Sequence, residues 1–264
     1  MTERALTGKC ALVTGSVDGL GRAIAVALAG AGANVVVNGL CAQSQGEAVA
    51  REIAQAHRVE AVFDPADLRQ RGEIERMIAD AASRFGSVDV LVNNAVVRHF
   101  SPIEDFDPSA WEESIQVNLT AAFDLVRLAL PGMKRNGWGR IINQASYYGW
   151  RGAENRIDYV TTKTALIGMA RAVAIEAAGT GVTCNAVCPG TVGTPAILKR
   201  IEGIARDAGR PFDEVAQEYA AARNPMGRFV AMESIGALIV FLCSPAGDDV
   251  SGTVLPVDGG WLAA

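Results

Sequence analysis

The chain has 264 residues, of which half are hydrophobic and a fifth are charged, and it carries a net charge of −5 at pH 7. This composition is typical of a globular protein with a sizeable core. The acidic balance and the lack of a basic stripe argue against nucleic-acid binding, since affinity for phosphates depends on clustered Lys and Arg. Polar residues interrupt every apolar run well before the ~20 residues that span a bilayer, and residues 1–9 lack a secretory signal pattern. We therefore expect a cytoplasmic protein that binds neither nucleic acid nor membrane.

The cysteine and histidine content argues against cross-links and metal sites. The five cysteines include no CxxC pair, and the two histidines are isolated. A disulfide framework or a zinc site needs paired or clustered ligands, so we expect neither. Cys10 and Cys184 lie in apolar segments, where a thiol usually behaves as a small buried hydrophobe.

Short β-branched segments alternate with longer helical patterns along almost the whole chain. Seven segments have the composition of strands that are buried on both faces: Cys10–Thr14, Asn34–Asn38, Val59–Phe63, Val88–Asn93, Arg140–Gln144, Thr183–Val187 and Thr253–Pro256. The helical patterns between them are Leu20–Ala31, Gln45–Gln55, Arg71–Phe85, Ser109–Met133, Tyr159–Ala177 and Met232–Cys243. This alternation predicts βαβ crossovers and one open parallel sheet with helices on both faces, in a single domain.

One stretch after the sixth strand departs from this alternation. Two amphipathic pieces, Ile197–Ala208 and Phe212–Ala222, are separated by Gly209 and Pro211. They lie at the end of the sheet where ligands bind in such folds. The pair is either a packed surface hairpin or a lid over a substrate.

A glycine-rich turn joins the first strand to the first helix. Its sequence, Thr14–Gly21, has the spacing TGxxxGxG. Gly15 allows a tight turn, Gly19 allows the backbone to approach a pyrophosphate, and Gly21 lets the helix pack near the sheet. The N-terminus of the following helix offers free N–H groups to phosphates. The turn therefore indicates a nucleotide-phosphate site.

Three polar residues could perform acid–base chemistry at the same edge of the sheet. Tyr159 and Lys163 are four residues apart in a helical pattern, so both project from one face. A nearby ammonium lowers the phenol pKa, and the tyrosine can then take a proton from an alcohol as hydride leaves. Ser146 follows a strand and can hydrogen-bond the substrate oxygen.

Together these motifs resemble the short-chain dehydrogenase/reductase family over nearly the whole chain. The resemblance depends on Thr14–Gly21, Asn93-Asn94-Ala95, Asn118, Ser146 with Tyr159 thirteen residues on, Lys163, Pro189-Gly190 and Asp258-Gly259-Gly260. It implies an α/β, Rossmann-type, doubly wound, parallel seven-stranded sheet. Residues 1–264 would form a single nucleotide-binding domain, with 196–224 as a helical substrate lid.

The resemblance also implies a role for each matching position. Tyr159 would be the catalytic acid/base, Ser146 would polarise the reacting oxygen, Lys163 would lower the tyrosine pKa, and Asn118 would complete a proton relay. The residues expected to bind the cofactor are Gly15, Asp18, Gly19, Leu20, Gly21, Asn38, Asp67, Leu68, Asn94, Tyr159, Lys163, Pro189, Val192 and Thr194. One departure from the pattern is Val96, which replaces a glycine and adds bulk beside the cofactor cleft.

The residues after the second strand bear on the choice of cofactor. NAD selection usually uses an acid there and NADP selection a nearby Arg, but this chain has Asn38-Gly39-Leu40-Cys41. Asp18, in the phosphate turn, would be an unfavourable neighbour for a 2′-phosphate. We expect NAD as cofactor, without excluding NADP.

Within the family, the chain is most similar in appearance to bacterial 3-hydroxybutyrate dehydrogenases. The positions that hold the small acid in those enzymes differ here: Arg98, Tyr148, Arg156 and Thr191. Two arginines could hold a carboxylate bidentately, or they could be solvated surface charges. We expect an enzyme that transfers hydride between a nicotinamide cofactor and a secondary alcohol or ketone, with a small hydroxy acid as candidate substrate.

The same motifs are compatible with two other functions. The protein could be an NADPH-dependent 3-oxoacyl ketoreductase, or a catalytically silent nucleotide-binding regulator.

The segment Tyr159–Ala178 is apolar or small around most of its circumference, so it is expected to be buried on more than one side. This favours a homotetramer or homodimer with two-fold interfaces.

Overall fold

The computed structural model describes residues 4–264, and within them seven parallel strands form one sheet in the order β3-β2-β1-β4-β5-β6-β7. The strands are β1 Cys10–Val13, β2 Asn34–Asn38, β3 Ala61–Asp64, β4 Val90–Asn93, β5 Gly139–Gln144, β6 Val182–Pro189 and β7 Val254–Val257. The order reverses between β1 and β4, which confirms the predicted doubly wound topology. In such sheets, ligands bind at the carboxyl ends of the strands beside this reversal.

Helices cover both faces of the sheet. In the described part of the chain they are α1 Gly19–Gly30, α2 Gln43–His57, α3 Arg71–Phe85, α4 Pro108–Ile115, α5 Ala121–Asn136, α6 Ile157–Glu176, α7 Pro195–Asp207, α8 Phe212–Ala221 and α9 Met232–Leu242. None of these helices is long and apolar enough to cross a membrane.

The alternation of side chains along each strand divides the core into two clusters. Leu12, Leu91 and Ile141 pack with α3, α5 and α6 on one face of the sheet. Val13 and Val92 point the other way and pack with α1, α2 and α9. Because successive side chains of a strand point to opposite faces, strands that are covered on both sides must be apolar throughout.

The long helix predicted over Ser109–Met133 is interrupted. A wide π turn at Gln116–Thr120 separates α4 from α5, and the helical stretch begins at Pro108 and ends at Asn136. Extra residues of this kind inside helices are common at functional sites, and they leave no signal in hydrophobic periodicity.

Several strand ends differ from the sequence-based boundaries. β3 begins at Ala61 instead of Val59, β4 begins at Val90 instead of Val88, and β6 continues to Pro189. The ends are decided by ladder hydrogen bonds to neighbouring strands, which a single strand's composition does not specify.

The helical pair α7 and α8 stands apart from the two main clusters. It has a small apolar core of its own, formed by Ile201, Ala205, Val215 and Ala216, with Tyr219 packed against it. The pair follows β6 and so lies over the carboxyl ends of the strands.

The predicted burial of Cys10 and Cys184 is confirmed, because both thiols are inaccessible. The five cysteines are all free thiols. Burial raises the pKa of Cys184 to about 12, so this thiol is inert at neutral pH.

Candidate active site

A cavity of about 1390 Å³ lies along the carboxyl ends of the strands. It runs from the glycine-rich turn after β1 to the helical pair α7–α8. Pockets for drug-sized ligands usually have volumes of about 300–1,000 Å³, so this cavity has room for a dinucleotide and a small substrate together.

The glycine-rich turn forms a tightly packed cradle at the start of the cavity. Gly15 adopts a left-handed conformation, with φ +62°. A Cβ on Gly21 would lie 2.1 Å from the carbonyl oxygen of Gly15, so no other residue fits there. The Nδ2 atom of Asn94 donates to the carbonyls of Thr14 and Gly15, at 2.9 and 3.1 Å. The backbone therefore stays open to a pyrophosphate at the N-terminus of α1, which is the requirement for a dinucleotide.

The side chain of Asn38 is used to hold the turn in place. Its Nδ2 donates to the carbonyls of Asp64 and Ala66, at 3.1 and 3.0 Å. Its Oδ1 accepts from the Gly15 amide at 3.4 Å. The exposed residue that follows β2 in the cavity wall is Leu40, which is 64% accessible.

Asp67, Leu68 and Arg69 line the same end of the cavity. The guanidinium of Arg69 pairs with Asp67 at 2.7 Å and with Glu113 at 3.3 Å. The side-chain hydrogen bond from Arg69 holds the pKa of Asp67 below its usual range. The positive charge of Arg69 is therefore already compensated by neighbouring carboxylates.

The three predicted catalytic residues converge at the opposite end of the cavity. Ser146 follows β5, and its Oγ accepts from the Tyr148 amide at 3.2 Å. Tyr159 and Lys163 project from α6, are buried, and place the Lys163 Nζ 5.6 Å from the centre of the Tyr159 ring. The Nζ also donates to the carbonyl of Gln144 at 2.5 Å, which fixes the ammonium against β5.

Positive charge around Tyr159 favours its ionised form. Burial acts to raise the pKa of the phenol, but Arg98, Lys163, Ser146 and Arg156 together bring it below the ordinary value. For Lys163, burial lowers the pKa because it disfavours the charged ammonium, and the nearby Tyr159 opposes this effect. A tyrosine with a lowered pKa is suited to take a proton from an alcohol near neutral pH.

Asn118 lies behind this site, in the π turn between α4 and α5. Its side chain accepts from the Val97 amide at 2.8 Å and donates to the Val97 carbonyl at 3.1 Å. It also reaches Thr162 Oγ1, one turn along α6, at 3.4 Å. The side chain therefore joins the loop after β4 to α6.

The segment after β6 forms the wall between the Ser146–Tyr159–Lys163 cluster and the helical pair α7–α8. Pro189, Thr191, Val192 and Thr194 line the cavity. Val192 is held by a parallel bridge to Val230, and the Thr194 hydroxyl caps the start of α7. A Cβ on Gly190 would lie 2.7 Å from the Cα of Asp258, which ties this wall to the C-terminal turn.

Two arginines lie over the ring of Tyr159. The guanidinium carbon of Arg98 lies 5.2 Å from the ring centre of Tyr159, and that of Arg156 lies 4.6 Å from it. Tyr148 packs edge-on against Tyr159, with the ring centres 6.2 Å apart. Thr191 also lines this end of the cavity. The structure therefore brings the four predicted substrate residues together at one place.

Two predicted site residues do not line the cavity. Gly19 forms the first residue of α1 beside Thr194 and Pro195, and Asn118 lies behind the cavity wall. Val96, the departure from the family pattern, does line it and is only partly buried.

Sequence reasoning missed several residues that line the substrate end. They are Phe100, Arg200, Tyr219 and Arg223. The last three belong to or directly follow the helical pair α7–α8, whose polar residues are typical of a solvated helix face. Only the docking of the pair over the sheet turns these side chains towards the cavity.

Comparison with known proteins identifies the family. A family model described as enoyl-(acyl carrier protein) reductase matches residues 15–262. A D-beta-hydroxybutyrate dehydrogenase of Cupriavidus necator is 46% identical over 98% of this chain and 99% of its own. A second D-beta-hydroxybutyrate dehydrogenase, from Rhizobium meliloti, is 40% identical over 97% and 99% of the two chains.

A solved structure shares the fold over the full length of both chains. This is the L-sorbose reductase of Gluconobacter frateurii complexed with NADPH and L-sorbose, with a TM-score of 0.95 and 28% identity. The glycine cradle, the Ser146–Tyr159–Lys163 cluster and these relatives lead to one conclusion: the chain belongs to the short-chain dehydrogenase/reductase family and is an NAD(P)-dependent oxidoreductase of secondary alcohols and ketones.

Proposed function

We propose that this protein interconverts a small hydroxy acid and the corresponding oxo acid, with NAD as cofactor. The observation that carries the proposal is the pair of arginines, Arg98 and Arg156, stacked on the catalytic tyrosine. A carboxylate held by these guanidinium groups would place a nearby secondary alcohol within reach of the phenol. The activity named for the relatives from Cupriavidus necator and Rhizobium meliloti supports this substrate class.

Each catalytic side chain then has a definite task. In the direction of oxidation, the Tyr159 phenolate takes the proton from the alcohol oxygen. The Ser146 hydroxyl hydrogen-bonds the same oxygen and orients it. The Lys163 ammonium stabilises the phenolate, and Asn118 holds the loop after β4 against α6. A bound nicotinamide supplies the hydride acceptor for this reaction.

The residues proposed to hold the cofactor form a continuous wall of the cavity. At the phosphate and adenine end they are Gly15, Asp18, Leu20, Gly21, Asn38, Asp67, Leu68 and Asn94, and at the nicotinamide end Pro189, Val192, Thr194, Tyr159 and Lys163. Gly19 contributes by shaping the turn. Val96 also lines this cavity.

The choice of NAD rests on the surroundings of Leu40. A 2′-phosphate at this position would find an apolar side chain, the carboxylate of Asp18 and an Arg69 that is already paired with Asp67 and Glu113. NADP-specific sites place a free arginine there. The ribose 2′-hydroxyl of NAD carries no charge, so it avoids the unfavourable electrostatics that a 2′-phosphate would meet here.

We further propose that residues 196–224 act as a substrate lid and that the protein works as a homotetramer or homodimer in the cytoplasm. The small separate core of α7 and α8 supports a lid, since such a unit can move without disturbing the sheet. The exposed outer side of α6, which includes Ile175 at 78% accessibility, supports burial against a second subunit. The free thiols are typical of a reducing compartment.

The test is an absorbance assay of hydride transfer near neutral pH. NAD and NADP are each supplied with a panel of hydroxy acids, neutral secondary alcohols and the matching oxo compounds. We expect NAD-linked oxidation of hydroxy acids, reduced by ~10²–10⁴ in Tyr159→Phe, which should still bind NADH by fluorescence. Lys163→Ala should lose activity, whereas the exposed Lys199→Ala should not.

Two results would contradict the proposal. Activity confined to neutral alcohols or ketones would remove the role of the two arginines as carboxylate ligands. Reduction of 3-oxoacyl substrates with NADPH alone would favour a biosynthetic ketoreductase.

A further inference from the structure

The substrate end of the cavity holds more positive charge than one small acid requires. Besides Arg98 and Arg156, it is lined by Arg200 from α7 and Arg223, which follows α8. The carboxylates in the same wall are Glu154 and Glu113, and Glu113 is already engaged by Arg69 and His99.

None of these four arginines forms an ion pair within residues 4–264. Other arginines of the chain do find partners. On the same lid, but outside the cavity, Arg210 pairs with Glu218 at 2.6 Å and with Glu214 at 3.6 Å. Several other arginines of the described residues, such as Arg206, also lack an ion pair, so the four are set apart by lying together in one cavity.

Aromatic rings hold the arginines in place. The Phe100 ring contacts two of them, with Arg156 at 4.2 Å and Arg200 at 5.1 Å from its centre. Arg223 lies 3.9 Å from the ring centre of Tyr219, and its Nη1 donates to the Tyr219 carbonyl at 3.2 Å. Stacking fixes the plane of a guanidinium and leaves N–H groups at its edge for an anion.

The guanidinium of Arg156 has an unused hydrogen-bond donor. Its Nε is buried and has no hydrogen-bond partner among residues 4–264. Burial and the charge of Arg98 both lower the pKa of Arg156, because the charge is desolvated beside a second cation. A buried, unpaired donor is costly, and a bound anion would relieve that cost.

The arginines fall into two groups along the cavity. Arg98 and Arg156 lie over the ring of Tyr159, beside which the reacting carbon is proposed to bind. Arg200 lies over Phe100, which also contacts Arg156, and Arg223 lies over Tyr219 of α8. A single carboxylate has two oxygens, and a guanidinium that binds it in a bidentate manner donates one N–H group to each of them. One carboxylate at Arg98 and Arg156 therefore leaves the lid arginines without a partner.

We propose that the substrate is a hydroxy acid with two anionic groups, one held by Arg98 and Arg156 beside the catalytic tyrosine and the other by Arg200 and Arg223 on the lid. This inference rests on the proposed hydroxy-acid activity and narrows its substrate class to a dianion. The second group is a carboxylate or a phosphate-like group, since both match the guanidinium edge.

The experiment compares acids that share the reacting end and differ in the far end. These are 3-hydroxybutyrate, 3-hydroxyglutarate and 3-hydroxy-4-phosphonobutyrate, assayed by kcat/KM with NAD. We expect one of the two dianions to exceed 3-hydroxybutyrate about tenfold or more. Whichever dianion is preferred identifies the second group as a carboxylate or a phosphonate.

Lid variants test which residues carry the preference. Arg200→Met and Arg223→Met should each reduce the ratio of dianion to monoanion kcat/KM about tenfold. Arg206→Met, at an exposed position of α7 outside the cavity, is the matched control and should keep the ratio. Thermal melting of each variant identifies any that fails to fold. If a lid variant fails to fold, the inference is judged on the wild-type ratio of dianion to monoanion kcat/KM.

The outcomes separate this inference from the proposed function. Tyr159-dependent oxidation of 3-hydroxybutyrate without preference for either dianion would overturn the dianion inference and keep the hydroxy-acid function. If no hydroxy acid is oxidised, the inference is tested by binding instead. The stabilisation of the protein–NADH complex by glutarate is compared with its stabilisation by butyrate. Stronger stabilisation by glutarate, lost in Arg200→Met, would support the second anion site, and equal stabilisation would overturn it.

Discussion

The guanidinium of Arg98 lies 5.2 Å from the ring centre of Tyr159, in addition to the Lys163 ammonium 5.6 Å from the same ring. The phenol is thus surrounded by more than one cation, and each stabilises the phenolate. Arg98 lies in the loop after β4, far in sequence from Tyr159, so only the fold brings this charge to the reacting group.

The first prediction concerns the pH dependence of this pair. Arg98→Gln removes a charge that lowers the phenol pKa, so the pKa must rise. Because alcohol oxidation requires the phenolate, the rising limb of kcat against pH should move to higher pH, with activity recovered in alkaline solution. Arg98→Lys, which keeps the charge, should keep this limb close to its wild-type position. An unchanged limb in Arg98→Gln would show that another group titrates there.

The second prediction concerns cofactor choice. Leu40→Arg places a guanidinium at the end of β2, where a 2′-phosphate would lie. We expect the ratio of kcat/KM for NADP to that for NAD to rise about tenfold or more, since one charged hydrogen bond contributes ~1.5–3 kcal/mol. Lys199→Arg, at an exposed position of α7, is the control for the effect of an added guanidinium group. A wild-type enzyme that already prefers NADP would contradict the proposed choice of NAD.

A third prediction concerns Asp158, which is fully buried next to Tyr159 in the sequence. Its carboxylate accepts from Ser114 Oγ at 2.8 Å, from the Tyr159 amide at 2.6 Å and from the His99 amide at 3.2 Å. Asp158→Asn replaces one carboxylate oxygen by an NH₂ group, which would face the N–H and O–H donors that now bind the carboxylate. The free energy of unfolding should therefore fall by about 1–3 kcal/mol. Because the start of α6 loses its anchor, kcat should fall more than KM rises.

Chemical denaturation and steady-state kinetics measure the two effects on Asp158→Asn separately. The exposed Asp207→Asn at the end of α7 is the control and should change neither quantity. A stable Asp158→Asn protein with normal kcat would show that the buried carboxylate does not position Tyr159.

The fourth prediction concerns assembly through α6. Thr164, Gly168, Ala172 and Ile175 form an exposed, mostly small and apolar side of this helix. Ile175→Arg would place a charge in the proposed interface, and sedimentation should show a smaller species than the wild type at micromolar concentration. Ile204→Arg, on the lid, is the matched control and should sediment like the wild type. A wild-type protein that sediments as a monomer would end the assembly proposal.

The amino-acid sequence by itself determined most of the elements and the juxtaposition of Tyr159 and Lys163 on one helix face. Val and Ile in short runs specify strands covered on both faces, and a spacing of four residues puts Tyr159 and Lys163 on one face of a helix. The glycine spacing of the first turn is equally local, because Gly15 needs a left-handed backbone and Gly21 has no room for a Cβ. These requirements act over a few residues, so they are visible in the chain.

The tertiary structure decided the features that depend on distant segments. The π turn at Asn118 forms where that side chain joins the Val97 backbone to Thr162, and helical periodicity carries no sign of it. The side chain of Asn38 turns inward because the carbonyls of Asp64 and Ala66 accept its hydrogen bonds. Arg200 and Arg223 have the composition of a solvated helix face, and they become cavity residues only because α7 and α8 dock over the carboxyl ends of the strands. Charge and periodicity describe one helix at a time, whereas the direction in which a side chain points depends on what the helix packs against.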